Sequence, residues 1–197
     1  MNKAARAALY IGLLLAAGVG AFLLGGALRG EPELNGTELE NRPAVGDITL
    51  QSASGEVRLA DYAGKYLVVF FGYTNCPDVC PLTMSRLGSI YRSMGEPEEM
   101  QVVMITVDPE RDGPEEIGRY AAGFHPRFVG LGGSEEALDD ASERFYVGAN
   151  DDGMGLVLHS TQVMLVDPDS RFWRIYNDDS QRYLEQDLRA LLDIRAG

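Results

Sequence analysis

Only two cysteines, two histidines and one tryptophan occur in 197 residues. Two cysteines cannot build a disulfide scaffold. Cys76 and Cys80 are also so close in the chain that bridging them would remove little entropy from the unfolded state. A mere staple is therefore the weaker reading, and local chemistry the stronger. Basic residues are scarce too: 17 Lys and Arg stand against 30 Asp and Glu, for a formal net charge of -13. Every acidic residue falls after residue 29. Such a surface argues against nucleic acid and anionic headgroups as partners, and suits a basic protein face or a cation. Keeping an extracytoplasmic domain soluble accounts for the acidity equally well. No internal repeat is present, and long apolar runs are confined to one.

That run is Ala7 to Leu28, which carries no charge and only Tyr10 with a polar group. At 1.5 Å per residue it can cross a hydrocarbon core of about 30 Å, so it reads as a single transmembrane span. Lys3 and Arg6 before it, with only Arg29 near its far end, put the start in the cytoplasm and the body across the membrane, on the extracytoplasmic side. A cleaved signal peptide is the competing reading, with Gly25 and Ala27 forming a small-x-small site, but the stretch exceeds the usual apolar core of such peptides. No cysteine follows at a processing position, which leaves a cysteine-linked lipid anchor without an attachment point. The expected organisation is a tip and anchor over 1–29, a linker over 30–42 and one domain over 43–197, a length suited to a single core.

Within that domain, Ile48 to Leu50 and Val57 to Leu59 flank a polar turn and predict a short hairpin. Leu67 to Phe71 is an unbroken apolar run, expected as a central strand covered on both faces. Pro81 fits the first turn of a helix running to Gly95, with Leu82, Met84, Leu87, Ile90, Tyr91 and Met94 on its apolar side. Val102 to Val107 predicts the next strand, and Gly113-Pro114 opens a second helix. Phe128 to Leu131 reads as a short strand. Ser134 caps a third helix through Phe145. Thr161 to Val166 and Phe172 to Tyr176 predict an antiparallel pair around Asp167-Pro168-Asp169-Ser170, and Ser180 to Ile194 a closing helix. Helices between mostly consecutive strands imply a three-layer α/β domain.

Cys76 and Cys80 sit in Thr74-Asn75-Cys76-Pro77-Asp78-Val79-Cys80-Pro81, between the central strand and the first helix. In a helical turn they would share one face, and helix-start amides would favour thiolate over thiol. Such a pair is either a redox couple or the soft half of a metal site; Cu(I) suits thiolate and imidazole, whereas Mg²⁺ or Ca²⁺ would call for oxygens. His159 precedes the last strand pair, where a loop can lie over the cysteines, although ordinary packing is the commoner role. His125, near a helix end, reads as solvated or capping. Asp78 should face away from the sulfurs as a helix-start carboxylate. Asp108, Arg111 and Asp112 end a buried strand, where open α/β sheets often hold ligands, and either an ion pair at the site edge or a solvated turn fits them. Met84 and Met154 are soft donors in principle and core residues by default.

Phe70-Phe71-Gly72-Tyr73-Thr74-Asn75-Cys76-Pro77-Asp78-Val79-Cys80-Pro81, Val107-Asp108-Pro109-Glu110-Arg111-Asp112, His159-Ser160-Thr161 and Asp167-Pro168-Asp169 together resemble the Sco/SenC family of copper-binding proteins for cytochrome c oxidase assembly. The resemblance spans roughly residues 43 to 194. It implies a thioredoxin-like fold with an added amino-terminal β-hairpin, and copper, Cu(I) foremost with Cu(II) as the other state, held by Cys76, Cys80 and His159. It also implies delivery to the CuA centre of cytochrome c oxidase subunit II, with another periplasmic copper chaperone or a thiol reductase as further partners. The alternative it leaves open is a tethered thiol-disulfide oxidoreductase in which Cys76 and Cys80 are catalytic. Two positions depart from the family pattern: Leu158 stands where Asp is common, and Ser170 where a turn glycine is usual. The first bears on a hydrogen bond to the imidazole and removes no ligand.

Overall fold

A computed structural model of the chain describes Gly12 and residues 33–148 and 161–196. The chain divides into two compact units, Met1–Glu33 and Leu34–Gly197, and the sheet with its covering helices belongs to the second. The span expected over 7–28 lies outside the described residues, Gly12 apart, as do Met154, Leu158 and His159. Among the described residues no helix is long and apolar enough to cross a membrane.

Seven consecutive buried residues form the central strand β4, Tyr66–Gly72. Because side chains alternate across a strand, Tyr66, Val68 and Phe70 enter one core while Leu67, Val69 and Phe71 enter the other. β4 runs parallel to β5 (Met100–Thr106), which runs parallel to β6 (Val129–Leu131). On its other side β4 is antiparallel to β7 (Val163–Val166), followed by β8 (Phe172–Tyr176) and β1 (Thr37–Glu38). The hairpin of β2 (Thr49–Ser52) and β3 (Gly55–Arg58) stands apart from this sheet. Paired backbone bonds of 2.8 Å between Gln51 and Gly132 fasten it beyond β6.

Helices α1 (Val79–Ser93), α2 (Pro114–Phe124) and α4 (Leu184–Ala196) bury Met84, Leu87, Tyr91, Ile117, Ala121, Leu184 and Leu188 in the first core. Helix α3 (Glu135–Arg144) and the hairpin bury Leu138, Ala141 and Leu50 in the second. Each large apolar side chain so covered contributes about 1.5–3 kcal/mol relative to exposure. The result is the expected three-layer α/β domain with its hairpin. Local signals hold as well: Pro114 occupies the first turn of α2, and the Ser134 hydroxyl accepts a bond from the Ala137 amide at 3.3 Å. Leu82 is the exception on α1. It is 65% exposed, since two residues along a helix turn a side chain about 200° from Met84.

The segment 30–42 reads as a spacer whose later part can pack on the domain, and the described part does pack there. Residues 34–42 lie on the domain, with β1 extending the sheet beside β8. Polar chemistry accounts for this, and apolar periodicity could not have shown it. The buried Asp187 carboxylate accepts bonds from the Asn35 amide (2.6 Å), the Asn35 side chain (2.7 Å) and the Tyr176 hydroxyl (2.9 Å). Arg174 donates to the Gly36 carbonyl and to Glu38, each at 2.7 Å. In the turn after β7, Ser170 has φ +58°, the left-handed conformation for which glycine is the usual choice.

Candidate functional site

The cysteines lie where β4 hands over to α1. Cys80 is the second residue of the helix, whereas Cys76 precedes it in the loop, so the pair does not occupy one helical turn as the spacing suggested. Contact is made another way. The Cys76 amide donates to the Tyr73 carbonyl at 3.3 Å, and this turn brings the Cys76 Sγ within 3.3 Å of the Cys80 amide, which donates to it. Both sulfurs are buried and unbridged. Gly72, the last residue of β4, makes room for the Cys80 sulfur: a Cβ there would stand 2.8 Å from Phe70 Cε1 and 3.0 Å from Cys80 Sγ.

The two thiols are unequal. Burial pushes the Cys76 thiol up, but hydrogen bonding from Cys80 and from the amides of Cys80, Asp78 and Val79 outweighs it and holds the group below the ordinary cysteine value. Burial, reinforced by Cys76, pushes Cys80 up to about 12. Cys80 therefore stays protonated in the fold at pH values where an unfolded thiol ionises, so its contribution to stability is complete below about pH 9 and is lost as pH rises towards 12. The same asymmetry sets reactivity. In the reduced protein at pH 8, iodoacetamide should modify Cys76 at least about tenfold faster than Cys80, read by peptide mass spectrometry. Equal rates would contradict the asymmetry.

Asp112 supports the loop from behind. It is 1% exposed, and its Oδ2 accepts bonds from the Thr74 amide (2.8 Å) and the Thr106 hydroxyl (2.9 Å), while its Oδ1 accepts from the Thr74 hydroxyl. Register explains the meeting. Gly72 is opposite Thr106, so the loops leaving the carboxyl ends of two parallel strands run side by side. Of the trio at this strand end, Asp108 and Arg111 form a solvent-facing ion pair at 2.9 Å, and Asp112 alone turns inward. Thr74, Thr106 and Gly72 were not singled out by sequence reasoning. The available signal was the parallel pairing of two apolar runs, which brings the loops at their carboxyl ends together.

Other candidates separate from the sulfurs by role. Asp78 is exposed at the start of α1 and makes no side-chain capping bond. Met84 is wholly buried in the core. His125 ends α2, and in contrast to a solvated histidine it is 6% exposed. Its Nδ1 accepts the Arg127 amide at 3.2 Å, and its ring stands edge-on to Tyr91 at 4.8 Å. Among the described residues no group of three or more histidine, cysteine or carboxylate side chains is placed to hold a metal ion. Two adjacent sulfurs, one with its thiol held below the ordinary cysteine value, fit a soft ion better than a hard one. They fit dithiol exchange equally well.

The SCO1/SenC family model matches residues 37–193. The chain belongs to the SCO1/SenC family. It is 38% identical over 186 residues to the human mitochondrial SCO2 homolog, covering 87% of this chain and 69% of that protein. A SCO2-like protein of Rickettsia conorii is 31% identical over 159 residues, covering 76% of this chain and 78% of the relative. Among solved structures, apo Sco1 from Thermus thermophilus superposes with a TM-score of 0.65 at 36% identity, covering 83% of this chain and 96% of that one. Copper-bound Arabidopsis thaliana ScoI gives 0.63 at 29% identity, covering 75% and 99%. The expected thioredoxin-like α/β fold of the Sco proteins therefore holds for this chain.

Proposed function

We propose that this SCO1/SenC protein is a copper metallochaperone that carries Cu(I) on Cys76, Cys80 and His159 and delivers it to the CuA centre of cytochrome c oxidase subunit II. Residues 7–28 hold it at the inner membrane with its domain on the periplasmic side. The observation that carries this reading is the pair of buried, unbridged sulfurs held side by side at the start of α1. The copper-bound state of similar proteins, Arabidopsis thaliana ScoI and Bradyrhizobium japonicum ScoI, supports it.

Copper is cargo here, and the chain's own part is protonic. Cys76 is the sulfur more readily ionised, whereas Cys80 must surrender a proton when the ion arrives, so loading should release protons and tighten as pH rises. Incoming thiols of the partner can then replace the sulfurs one at a time, with no catalytic turnover. Bridging Cys76 to Cys80 would remove both soft donors, making loading and oxidation mutually exclusive.

The unequal sulfurs also favour a second reading, a tethered reductase of the CuA-site cysteines. Cys76 thiolate would attack a partner disulfide, forming a mixed disulfide and releasing one partner thiolate, which takes a proton. Cys80 would then lose its proton and displace the second partner sulfur, leaving a Cys76–Cys80 disulfide and a reduced partner. Anaerobic Cu(I) titration of the reduced protein with X-ray absorption at the metal distinguishes the readings. A one-to-one complex with two sulfurs and one imidazole nitrogen is expected. H159A should lose the nitrogen and weaken binding at least about 100-fold, since loss of an outer-sphere partner alone costs about 10–100-fold. Unchanged coordination in H159A would remove His159 from the site. No stable copper binding, with rapid reduction of a subunit II disulfide, would leave the reductase.

A further inference from the structure

An open groove of about 780 Å³ is lined by one side of α3 and by the chain that has just left β5. Val107, Pro109, Leu138 and Tyr146 give it an apolar lining. Glu135, Asp139 and Glu143 line it too, on one side of the helix because residues four apart point nearly the same way. These three acids are exposed, and among the described residues none has an ion-pair partner. Asp140, one position further round α3, is by contrast held by Arg144 at 3.2 Å. Tyr146 is 47% exposed and yet fixed in place: its hydroxyl accepts a bond from the Asn41 side chain at 2.9 Å, and its ring stands 5.9 Å from that of Phe172. A large ring so held loses little freedom when a partner covers it.

Charge decides what fits there. Three unpaired carboxylates beside an apolar lining call for an occupant that brings cations and one apolar side chain. The chain's own continuation past Gly148 brings none, since residues 149–160 contain Asp151 and Asp152 and neither lysine nor arginine. A second copy, with its net charge of -13, and an anionic lipid surface both meet repulsion. Position gives the groove a use. The Val107 amide donates to the Gly72 carbonyl at 3.0 Å, and Gly72 leads into the loop that carries Cys76, so a partner seated here is already at the sulfur end of the sheet. We infer that this groove is the docking site for a cationic segment of a partner protein, its Lys or Arg side chains meeting Glu135, Asp139 and Glu143 while an apolar side chain packs against Leu138 and Tyr146. From Glu135 to Glu143 the carboxylates extend over about 12 Å, the length of about two helical turns. Such docking deepens the copper reading, and rests on it only for what the partner exchanges at the sulfurs.

The probe is a fluorescent synthetic peptide of about twelve residues, with lysine at every fourth position and leucines between. Added to the full-length, reduced, metal-free protein in a non-ionic detergent, it should bind by fluorescence anisotropy. Hydrogen exchange read by mass spectrometry should slow in α3 and just after β5. Neutralising the acids together, Glu135→Gln, Asp139→Asn and Glu143→Gln, should weaken binding about tenfold, whereas the same loss of charge at the exposed Glu56, Glu98 and Glu99 should weaken it less than about twofold. Tyr146→Ala should also cost about tenfold, and Tyr146→Phe, which keeps the ring, less than about twofold. Equal weakening by the two triple variants, or slowed exchange spread over other acidic faces, would reduce the binding to general attraction and overturn the inference. So would no binding, or full affinity in Tyr146→Ala. Because no metal is present, failure of wild type to take up Cu(I) in a separate titration would end the copper reading and leave this result standing.

Discussion

Asp112→Ala is expected to lower the unfolding free energy by about 3–5 kcal/mol, because it strands three donors that this carboxylate alone satisfies: the Thr74 amide, the Thr74 hydroxyl and the Thr106 hydroxyl. At 1% exposure, water cannot replace it without opening the site. Asp112→Asn should cost far less, about 1 kcal/mol. Its amide oxygen can take the place of Oδ2 and keep the Thr74 amide and Thr106 hydroxyl, while its amino group faces the Thr74 hydroxyl, which can rotate from donor to acceptor. Comparison of the two variants therefore isolates hydrogen bonding from charge. Charge has its own readout: Asp112 is among the groups that raise the Cys80 thiol, so D112N should bring Cys80 alkylation to lower pH while leaving the fold largely intact. Urea denaturation and the alkylation profile check the two arms. A D112A protein within about 1 kcal/mol of wild type would show that the carboxylate does not hold the loop.

This dependence on buried polar groups also marks the boundary of what could be read from the chain. Hydrophobic period carried the layers: Leu67 to Phe71 announced a strand covered on both faces, and Val68 and Val69 indeed enter opposite cores. Capping chemistry carried the helix starts at Pro114 and Ser134, because the determinants lie within one turn of the end they set. The cysteine motif was legible for the same reason, being local and rare. Long-range polar pairing has no comparable period. Thr74 and Asp112 are separated by 38 positions and Asn35 and Asp187 by 152, so neither pairing leaves a local mark. Composition was silent on how the spacer packs, since Glu33 to Arg42 is as polar as a linker and supplies an edge strand. The i, i+4 argument for the cysteines also reached a sound conclusion through the wrong geometry. The sulfurs meet because the Tyr73 carbonyl turns the loop at Cys76, not because both thiols ride one helical turn.

The edge strand is where the other large effect should appear. Asp187→Ala should destabilise the domain by about 3–5 kcal/mol, since four neutral donors converge on this carboxylate: the Asn35 amide, the Asn35 side chain, the Gly36 amide and the Tyr176 hydroxyl. Tyr176 is fully buried, and burial followed by its bond to Asp187 pushes its phenol well above the ordinary tyrosine range. Without its acceptor that hydroxyl becomes an orphan inside the core. Asn35 and Gly36, by contrast, can turn to solvent, so part of the loss should appear as local release of residues 34–38 from β8. Hydrogen exchange distinguishes the local part from the global. In D187A the amides of Asn35 and Gly36 should lose protection first, while those of β4 and β5 retain theirs up to the lowered global limit. In D187N the Asn35 side-chain amide can flip to meet the new amino group, so most of the network survives and the expected cost is about 1 kcal/mol. Equal loss of protection across β1 and β4 in D187A would mean that Asp187 supports the core as a whole and does not fasten this segment in particular.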